Sequence, residues 1–334
     1  MEQQTCPPKK VLLIRFSSLG DVVLTSALLE PLNKAGYKVD LITYPQWAEV
    51  FKEDPRLEVY PVSKERLKKD FFNLIREINQ KNYLAVLDLH SNLKSFLLKT
   101  FIKAPKKATY KKRSLFRRLC VFLNNIGITY LKNKPFDVLS AYGKTLEVLG
   151  LKVSSLRPYI KVNPANFQES LKKFNLKEGS YIAVGVGARY RKKRYPYFKE
   201  LTQLLAKEKT VVLVGDKSDW EQTKDWKHII NLCGKLPLNQ TLHVLKGASS
   251  FVGNDSGLTH MARAVKTPVF TIYGGTHPCL GFAPYPDEGK VISKNLPCSP
   301  CDIHGKGNCK FKDYRCLDIP PQRVLKEINQ WLLT

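Results

Sequence analysis

The chain has 334 residues, which favours about two domains of common size, and 43% of them are hydrophobic, so each domain can bury a core. Its formal net charge is +26, which indicates an acidic partner such as nucleic acid, an anionic membrane surface or an acidic glycolipid. No apolar run approaches the roughly 20 residues that span a bilayer, and the first residues lack the apolar core of a signal peptide. We therefore expect a cytoplasmic protein.

Apolar runs alternate with helical patterns along the chain, which is typical of parallel sheets covered by helices. We predict strands at Val11–Phe16, Val39–Thr43, Leu84–Leu87, Tyr181–Val186, Thr210–Val214, Ser250–Val252 and Val269–Tyr273. Helical periodicity predicts helices at Lys68–Gln80, Phe136–Leu149, Tyr197–Lys207 and Pro321–Leu332. The helical pattern ends near Pro158–Ala165 and a new series begins at Tyr181, so we place one domain at 8–160 and a second at 165–320.

The first predicted strand ends in Ser17-Ser18-Leu19-Gly20-Asp21, which leads into an amphipathic helix. This turn is not a dinucleotide-binding fingerprint, because G-x-G-x-x-G is absent. It is not a phosphate-binding P-loop either, since no Gly-Lys-Ser/Thr follows. The segment indicates the first strand–helix unit of an α/β domain.

A second turn of this kind lies at residues 251–260, which read FVGNDSGLTH and join a strand to a helix. Backbone N–H groups at a helix N-terminus suit an anionic or heavily hydroxylated ligand. Asp255 and Ser256 can cap the helix, while Gly257 lets a ligand approach the backbone. An ordinary capped turn explains this pattern equally well when it is taken alone.

Together, the two turns resemble those of the ADP-heptose:lipopolysaccharide heptosyltransferases, which carry SS(L/M)GD after the first strand and D(S/T)GL(S/T)H before a late helix. Lys193–Pro196 resembles the family's Lys-x-aromatic-Pro segment, and residues 271–278, TIYGGTHP, resemble its TVYGPT-type strand and loop, with Gly275 where Pro is frequent. The four segments follow the family order across nearly the whole chain.

This resemblance implies an α/β protein of the GT-B fold, with two doubly wound Rossmann-like domains facing a central cleft. The N-terminal domain (8–160) would bind the acceptor and the C-terminal domain (165–320) the nucleotide sugar. The final helix, 321–334, would pack back on the first domain. The implied reaction is inverting transfer of L-glycero-D-manno-heptose from ADP-heptose to the Kdo/heptose inner core of lipopolysaccharide.

Asp21 is the catalytic base that the resemblance implies, since inverting transfer needs a carboxylate to take the proton of the acceptor hydroxyl. A helix N-terminus stabilises a carboxylate and weakens it as a base, so proton transfer would run late in the transition state unless burial offsets the dipole. A purely capping Asp is the alternative. Ser18 and Gly20, in the same turn, are predicted donor contacts.

The donor side is predicted from Arg189–Arg194, which places five cations in six positions just after a strand. Positive charge there can stabilise the departing diphosphate, although a solvated loop explains some of the five. Lys193 matches the family's diphosphate-binding Lys, and Arg189 is the second choice. Asp219 stands where the family has a longer Glu. Resemblance adds Asp255, Ser256, Gly257, Leu258 and His260 to this predicted donor pocket.

The acceptor side is predicted from two segments. His90 and Lys94 belong to Asp88–Lys94, which resembles the family's acceptor-facing segment. Between Lys103 and Arg118 lie eight cations with aromatic and aliphatic residues interleaved. They suit an acidic lipid A–Kdo acceptor and the anionic surface of the inner membrane, although nucleic-acid binding or a solvated face would use the same residues. The predicted acceptor contacts from this second segment are Lys111, Lys112 and Arg113.

Four of the eight cysteines, Cys298, Cys301, Cys309 and Cys316, form the pattern C-x2-C-x7-C-x6-C. In a cytoplasmic protein this spacing favours a thiolate site for structural zinc or iron before disulfides. Paired or free thiols are the alternative. Some relatives that glycosylate autotransporter proteins carry a metal-binding cysteine cluster.

We therefore predict a glycosyltransferase that needs no cofactor for catalysis, rests on the inner face of the inner membrane and has no nucleic-acid partner. One alternative keeps the fold and replaces the acceptor by an autotransporter protein. A second alternative is a non-catalytic basic protein that binds nucleic acid or membrane.

Overall fold

The structure is a computed structural model that describes residues 9–133 and 135–333. The chain divides into two compact units. The first contains Met1–Lys112 and Leu139–Lys161, and the second contains Arg113–Val138 and Val162–Thr334. The division after Lys161 lies inside the predicted boundary region.

The first unit is built on a five-stranded parallel sheet with the order β3-β2-β1-β4-β5. Its central strand is completely buried from Val11 to Ile14, as expected for a parallel sheet that is covered on both faces. The register pairs Leu12 with Val86 on one side and Leu13 with Leu41 on the other. The strands are β1 (Lys10–Ile14), β2 (Lys38–Thr43), β3 (Leu57–Pro61), β4 (Ala85–Asp88) and β5 (Lys106–Thr109).

The second unit contains a six-stranded parallel sheet with the order β11-β10-β9-β6-β7-β8. Its strands are β6 (Tyr181–Gly185), β7 (Thr210–Leu213), β8 (Ile230–Asn231), β9 (Ser250–Asn254), β10 (Val269–Ile272) and β11 (Gly289–Ile292). Both sheets wind outward from a central strand and then restart on its other side. The strand order therefore reverses between β1 and β4 and between β6 and β9, and ligands of open α/β sheets bind beyond the strand ends at such switch points.

Helices connect the strands and cover the sheets. They are α1 (Leu19–Leu24), α2 (Leu29–Lys34), α3 (Pro45–Ala48), α4 (Arg66–Lys69), α5 (Phe71–Gln80), α6 (Leu93–Phe101), α7 (Ser114–Asn125), α8 (Val138–Gly143), α9 (Pro164–Lys173), α10 (Phe198–Leu205), α11 (Lys217–Thr223), α12 (Leu238–Gly247), α13 (Gly257–Ala264) and α14 (Pro321–Leu332). Among the described residues, none of the helices has both the length and the apolar character needed to cross a membrane.

All seven predicted strands are present, with ends that shift by one or two residues. Four strands were not predicted: β3, β5, β8 and β11. All four lie at sheet edges; charged residues interrupt the apolar run in β3, β5 and β11, and β8 has only two residues. The sequence of β5, Lys-Lys-Ala-Thr, is an example.

Residues 113–138 belong to the second unit, which corrects the predicted domain limits. Helix α7 begins this segment and packs on residues of the second unit. The Sγ atoms of Cys120 and Cys279 lie 3.7 Å apart, and the side-chain amide of Asn124 donates to the Pro300 carbonyl at 3.2 Å. Contacts far along the chain thus decide the assignment, and periodicity does not report them.

The final helix, α14, packs on α10 and β11 of the second unit. Val324 and Ile328 are buried in that unit's core, and the rings of Trp331 and Phe270 lie 5.7 Å apart. The expectation that this helix packs back on the first domain is therefore wrong. Its apolar face covers the sheet of the unit that precedes it in the chain.

Candidate functional site

The first candidate site lies in the turn after β1. Ser18 has extended backbone angles and stands just before α1. Its hydroxyl donates to Asp21 Oδ2 at 2.8 Å, and its backbone N–H points to the same oxygen at 3.3 Å. The Asp21 carboxylate is therefore fixed at the N-terminus of a helix, where the helix dipole favours negative charge.

Arg15 holds the same carboxylate from the strand side. Its Nη2 lies 2.7 Å from Asp21 Oδ1, and its Nη1 donates to the Leu89 carbonyl at 2.5 Å. Burial alone would lower the pKa of Arg15, but the negative charge of Asp21 raises it above its ordinary value. Arg15 is thus a permanent buried cation, whereas the Asp21 side chain stays 19% exposed and open to a ligand.

The turn after β4 places His90 near this pair. The Asp88 carboxylate accepts hydrogen bonds from the backbone N–H groups of His90 and Ser91, both at 2.9 Å. Burial, followed by the positive charges of Arg15 and Lys112, lowers the pKa of His90 to about 3. The imidazole is therefore neutral near pH 7, and within the described part of the chain its Nδ1 has no hydrogen-bond partner. This nitrogen can accept a hydrogen bond from a hydroxyl group, but the neutral ring cannot attract an anion by charge.

The structure brings two of the predicted acceptor residues together. The charge of Lys112 acts on His90, so these two predicted residues lie near each other. Lys94, on α6, and Lys111 are both exposed. Arg113 is exposed at the start of the second unit's α7 segment.

The second candidate site lies at the switch point of the second sheet. Lys193 Nζ lies 2.8 Å from Asp255 Oδ2, and the Thr276 hydroxyl donates to the same oxygen at 2.8 Å. Burial opposes ionisation of Asp255, but the Lys193 charge and these hydrogen bonds lower the pKa of the carboxyl below its ordinary value. The structure therefore brings together two residues that the resemblance placed in the donor pocket.

The turn that leads into α13 is fixed by Asn254. Its amide donates to the Val186 carbonyl at 2.8 Å, and its oxygen accepts from the Tyr195 N–H at 3.0 Å. Next to it, Ser256 precedes the first residue of α13, Gly257. Of the residues that the structure describes, Ser256 is one whose hydroxyl is buried without a hydrogen-bond partner. A polar ligand at this helix N-terminus would supply that partner.

His260 lies inward of this turn and is 5% exposed. Its Nδ1 is 3.3 Å from Arg263 Nη1, and Arg263 forms a 2.7 Å ion pair with Glu288. The buried pair Arg263–Glu288 thus holds the His260 ring in place. Leu258, also in the predicted donor set, is half-buried against the backbone of Gly185.

The Asp219 side chain lies against the backbone of two glycines, Gly187 and Gly215. Its Oδ2 accepts from the Asp216 N–H at 3.0 Å and closes the N-terminus of α11, and burial raises its pKa. A Cβ added to Gly187 or to Gly215 would lie 2.3 Å from the same oxygen, closer than any side chain tolerates. A side chain at either position would therefore have to displace this carboxylate. Arg189, in contrast, is exposed next to the Tyr190 ring.

The four cysteines of the 298–316 loop are free thiols. Burial raises the pKa of Cys301, and it raises the pKa of Cys316 to about 11. Across residues 9–133 and 135–333, no group of three or more His, Cys, Asp or Glu side chains is arranged to hold a metal ion. The zinc or iron site therefore stays a prediction. The cysteine loop connects to the basic segment Arg189–Arg194 through Gly275. The backbone N–H of Cys301 donates to the Gly275 carbonyl, and the backbone N–H of Gly275 donates to the Lys192 carbonyl.

Sequence reasoning missed Arg15, Asp88, Asn254 and Thr276. Arg15 directly follows four buried apolar residues, so a charge at the carboxyl end of a central strand was an available signal. Asp88 offered the same signal at the end of β4. Thr276 and Asn254 lay inside segments already singled out, but their partners, 21 and 59 residues away, appear only in the fold.

Both sheets are parallel and have the same winding order, and each carries a carboxylate–cation pair at its switch point. These features define an α/β enzyme that binds anionic or hydroxylated ligands. The family model described as glycosyltransferase family 9 (heptosyltransferase) matches residues 71–312, more than half of the chain. The chain belongs to this family and is a glycosyltransferase. The predicted family is thereby confirmed.

Curated relatives extend the match to nearly the full length. Lipooligosaccharide heptosyltransferase 2 of Haemophilus influenzae is 25% identical, over 96% of this chain and 99% of the relative. Lipopolysaccharide heptosyltransferase 2 of Escherichia coli K12 is 26% identical, over 97% of this chain and 99% of the relative. The non-catalytic binding protein and the autotransporter-modifying enzyme are therefore not favoured.

Solved structures confirm the expected fold. A glycosyl transferase family 9 protein from Veillonella parvula matches with a TM-score of 0.78 and 22% identity, over 98% of each chain. The E. coli heptosyltransferase WaaC with ADP matches with a TM-score of 0.70 and 21% identity, over 96% of this chain and 99% of that one.

Proposed function

We propose that the protein transfers L-glycero-D-manno-heptose from ADP-heptose, with inversion, to the Kdo/heptose inner core of lipopolysaccharide. The observation that carries the proposal is the Asp21 carboxylate, which Arg15 and Ser18 fix at the switch point of the first sheet beside neutral His90. Relatives named lipopolysaccharide and lipooligosaccharide heptosyltransferases support the acceptor, and the ADP of the WaaC structure supports the donor.

In this proposal Asp21 takes the proton of the acceptor hydroxyl as that oxygen attacks the anomeric carbon. The Arg15 ion pair stabilises the carboxylate, which makes it a weak base. Proton transfer therefore runs late, when the attacking oxygen has already become acidic. The Nδ1 of His90 offers the acceptor a neutral hydrogen-bond partner.

The donor would bind at the switch point of the second sheet. Lys193 and Arg189 offset the charge that grows on the departing ADP, so the proposed transfer needs no cofactor. Ser256 gives its buried hydroxyl to the ligand, and Asp219 shapes the pocket from beneath Gly187. The remaining proposed donor residues are Ser18, Gly20, Asp255, Gly257, Leu258 and His260.

The first unit would bind the acceptor and the second unit the donor. Lipid A–Kdo carries phosphates and carboxylates, and the exposed cations suit both these groups and the anionic leaflet in which the lipid lies. We propose a peripheral position on the cytoplasmic face of the inner membrane. The residues proposed to contact the acceptor are His90, Lys94, Lys111, Lys112 and Arg113.

Release of ADP from ADP-L-glycero-D-manno-heptose tests the proposal, with Kdo2–lipid A, heptosylated Kdo2–lipid A or no acceptor. Lipid-dependent release is the expected result, and the lipid that supports it identifies the step. Binding of the nucleotide sugar without turnover on either lipid would contradict the acceptor and point to a protein or an altered core. Failure to bind ADP-heptose would contradict the donor.

A further inference from the structure

Helix α7 exposes a stripe of apolar side chains and buries polar ones, a pattern called here reversed polarity. Its outward face carries Leu115, Leu119, Phe122 and Ile126, which are 79%, 48%, 61% and 58% exposed. Their spacing of four, three and four residues forms one stripe along a helix. The inward face carries Arg117, Cys120 and Asn124, each no more than 3% exposed. A helix of a water-soluble protein normally shows the opposite arrangement.

The buried contacts show that this orientation is specific. The Arg117 guanidinium carbon lies 5.6 Å from the ring centre of Phe136 and 5.7 Å from that of Phe282. Asn124 donates to the Pro300 carbonyl at 3.2 Å, and Cys120 packs on Cys279. These contacts fix the helix on the second unit by the face that carries Arg117, Cys120 and Asn124, and the apolar stripe therefore faces solvent.

The surrounding sequence has an unusual charge pattern. Between Leu89 and Phe136 there are twelve Lys and Arg residues and no Asp or Glu. Of the fourteen large hydrophobic side chains that are exposed among residues 9–133 and 135–333, ten fall in this segment. Exposed apolar patches mark interaction surfaces, and an uninterrupted positive charge selects an anionic partner.

We propose that α7 docks on an anionic phospholipid bilayer, with its apolar stripe at the boundary between headgroups and acyl chains. A bilayer satisfies both features, since acyl chains take up the stripe and acidic headgroups pair with exposed cations such as Arg118. Nucleic acid would use the cations but leave the aliphatic residues in water. A second copy pairing through the same face would oppose cations to cations.

This proposal names the membrane-binding element of the proposed function and rests on that function for its biological meaning. Docking at the surface holds the enzyme where a lipid-linked acceptor lies. Vesicle binding needs neither donor nor acceptor, so it can fail while ADP-heptose turnover succeeds, and the reverse is also possible.

The test is co-sedimentation of the full chain with phosphatidylethanolamine vesicles that contain phosphatidylglycerol, compared with phosphatidylcholine vesicles. The variant is Leu115→Gln/Phe122→Gln, and the control is Leu332→Gln/Leu333→Gln, which changes two apolar residues that are 43% and 88% exposed elsewhere. We expect the α7 variant to lose roughly tenfold or more in partitioning, and the control to change by less than about twofold. Wild type should prefer the anionic vesicles.

Unchanged vesicle binding by the α7 variant would overturn the proposal. So would a clear loss of thermal stability in that variant, because the stripe would then be packed within the protein. If the α7 variant still binds vesicles, two further results would also overturn the proposal. One is a shift of the variant from oligomer to monomer by light scattering, and the other is a selective loss of tRNA binding in the variant.

Discussion

The two switch points carry ion pairs of nearly equal length but different construction. Asp21 and Arg15 lie 2.7 Å apart, and Asp255 and Lys193 lie 2.8 Å apart. Arg15 is 5% exposed and also anchored to a backbone carbonyl, whereas Lys193 is 17% exposed. An Arg fork holds a carboxylate in one geometry, while a Lys ammonium is a point charge on a flexible stem.

This difference shows how one geometry can serve two purposes. The first pair is fixed from both ends, so it keeps the Asp21 carboxylate charged and oriented. In the proposed function, an arriving diphosphate would compete with Asp255 for Lys193, and the carboxylate would then be a reversible substitute for the ligand. Substitutions at each pair separate these two purposes.

Replacing Asp21 by Asn should lower turnover by roughly 10²–10⁴-fold, because the amide cannot accept the acceptor's proton. Binding of ADP-heptose should change little. ADP release, normalised to the folded fraction from circular dichroism, measures the effect.

The matched control is Asp40→Asn. Asp40 lies on β2 of the same sheet, is 2% exposed and pairs with Lys81 at 3.5 Å. It should lose stability but keep its turnover per folded molecule. If the Asp21 variant keeps more than about a tenth of the wild-type rate, Asp21 is a capping residue and not a base.

Replacing Lys193 by Met should lower turnover by roughly 10²-fold and weaken ADP binding, because the charge on the leaving group loses its partner. Arg191→Gln is the neighbouring control, since its guanidinium lies over the Tyr314 ring at 4.6 Å. Calorimetric titration with ADP and the ADP-release rate measure the two effects. Equal losses in both variants would indicate a diffuse electrostatic field in place of a specific contact.

Replacing His90 by Gln should reduce the sensitivity of the fold to acid. The unfolded chain binds a proton at His90 below about pH 6.5, but the folded protein excludes it until about pH 3. Wild-type stability therefore falls with decreasing pH in this window, by up to about 1.4 kcal/mol per pH unit from this group. His277, whose pKa is lowered to about 4 by burial, adds a change of the same sign.

Denaturant unfolding at several pH values between 7 and 5 measures this slope. His90→Gln should show a shallower slope than wild type. His228→Gln, at an exposed position, is the matched control for the loss of a histidine side chain. A slope in His90→Gln equal to that of wild type would show that this imidazole is protonated normally in the folded state.

Much of the architecture could be predicted because parallel strands are marked by continuous apolar runs. Val11–Ile14 and Ser250–Val252 are such runs, and both lead into site turns. The edge strand β5 could not be found in this way, since two lysines occupy it. Helix α14 was located to the residue, but its packing partner depends on contacts that its own sequence does not encode.

For the candidate site, the sequence predicted Asp21, Asp255 and Lys193 but not the ion pairs that these residues form. Asp255 and Lys193 were both predicted, yet their ion pair joins residues 62 positions apart and is visible only in the fold. Arg15 was counted as part of a strand because its neighbours are apolar. The reversed polarity of α7 could not be read from periodicity either, since an amphipathic pattern does not state which face is buried.

The close approach of Asp219, in the first turn of α11, to Gly187 and Gly215 couples one position after β6 with two positions at the β7–α11 connection. A side chain at either glycine must displace the carboxylate, and a longer acid at 219 must find space between the same two loops. These positions can therefore change only as a set. A variant library that samples them one at a time would record three intolerant sites, whereas a library that samples them together could find new combinations for the same pocket.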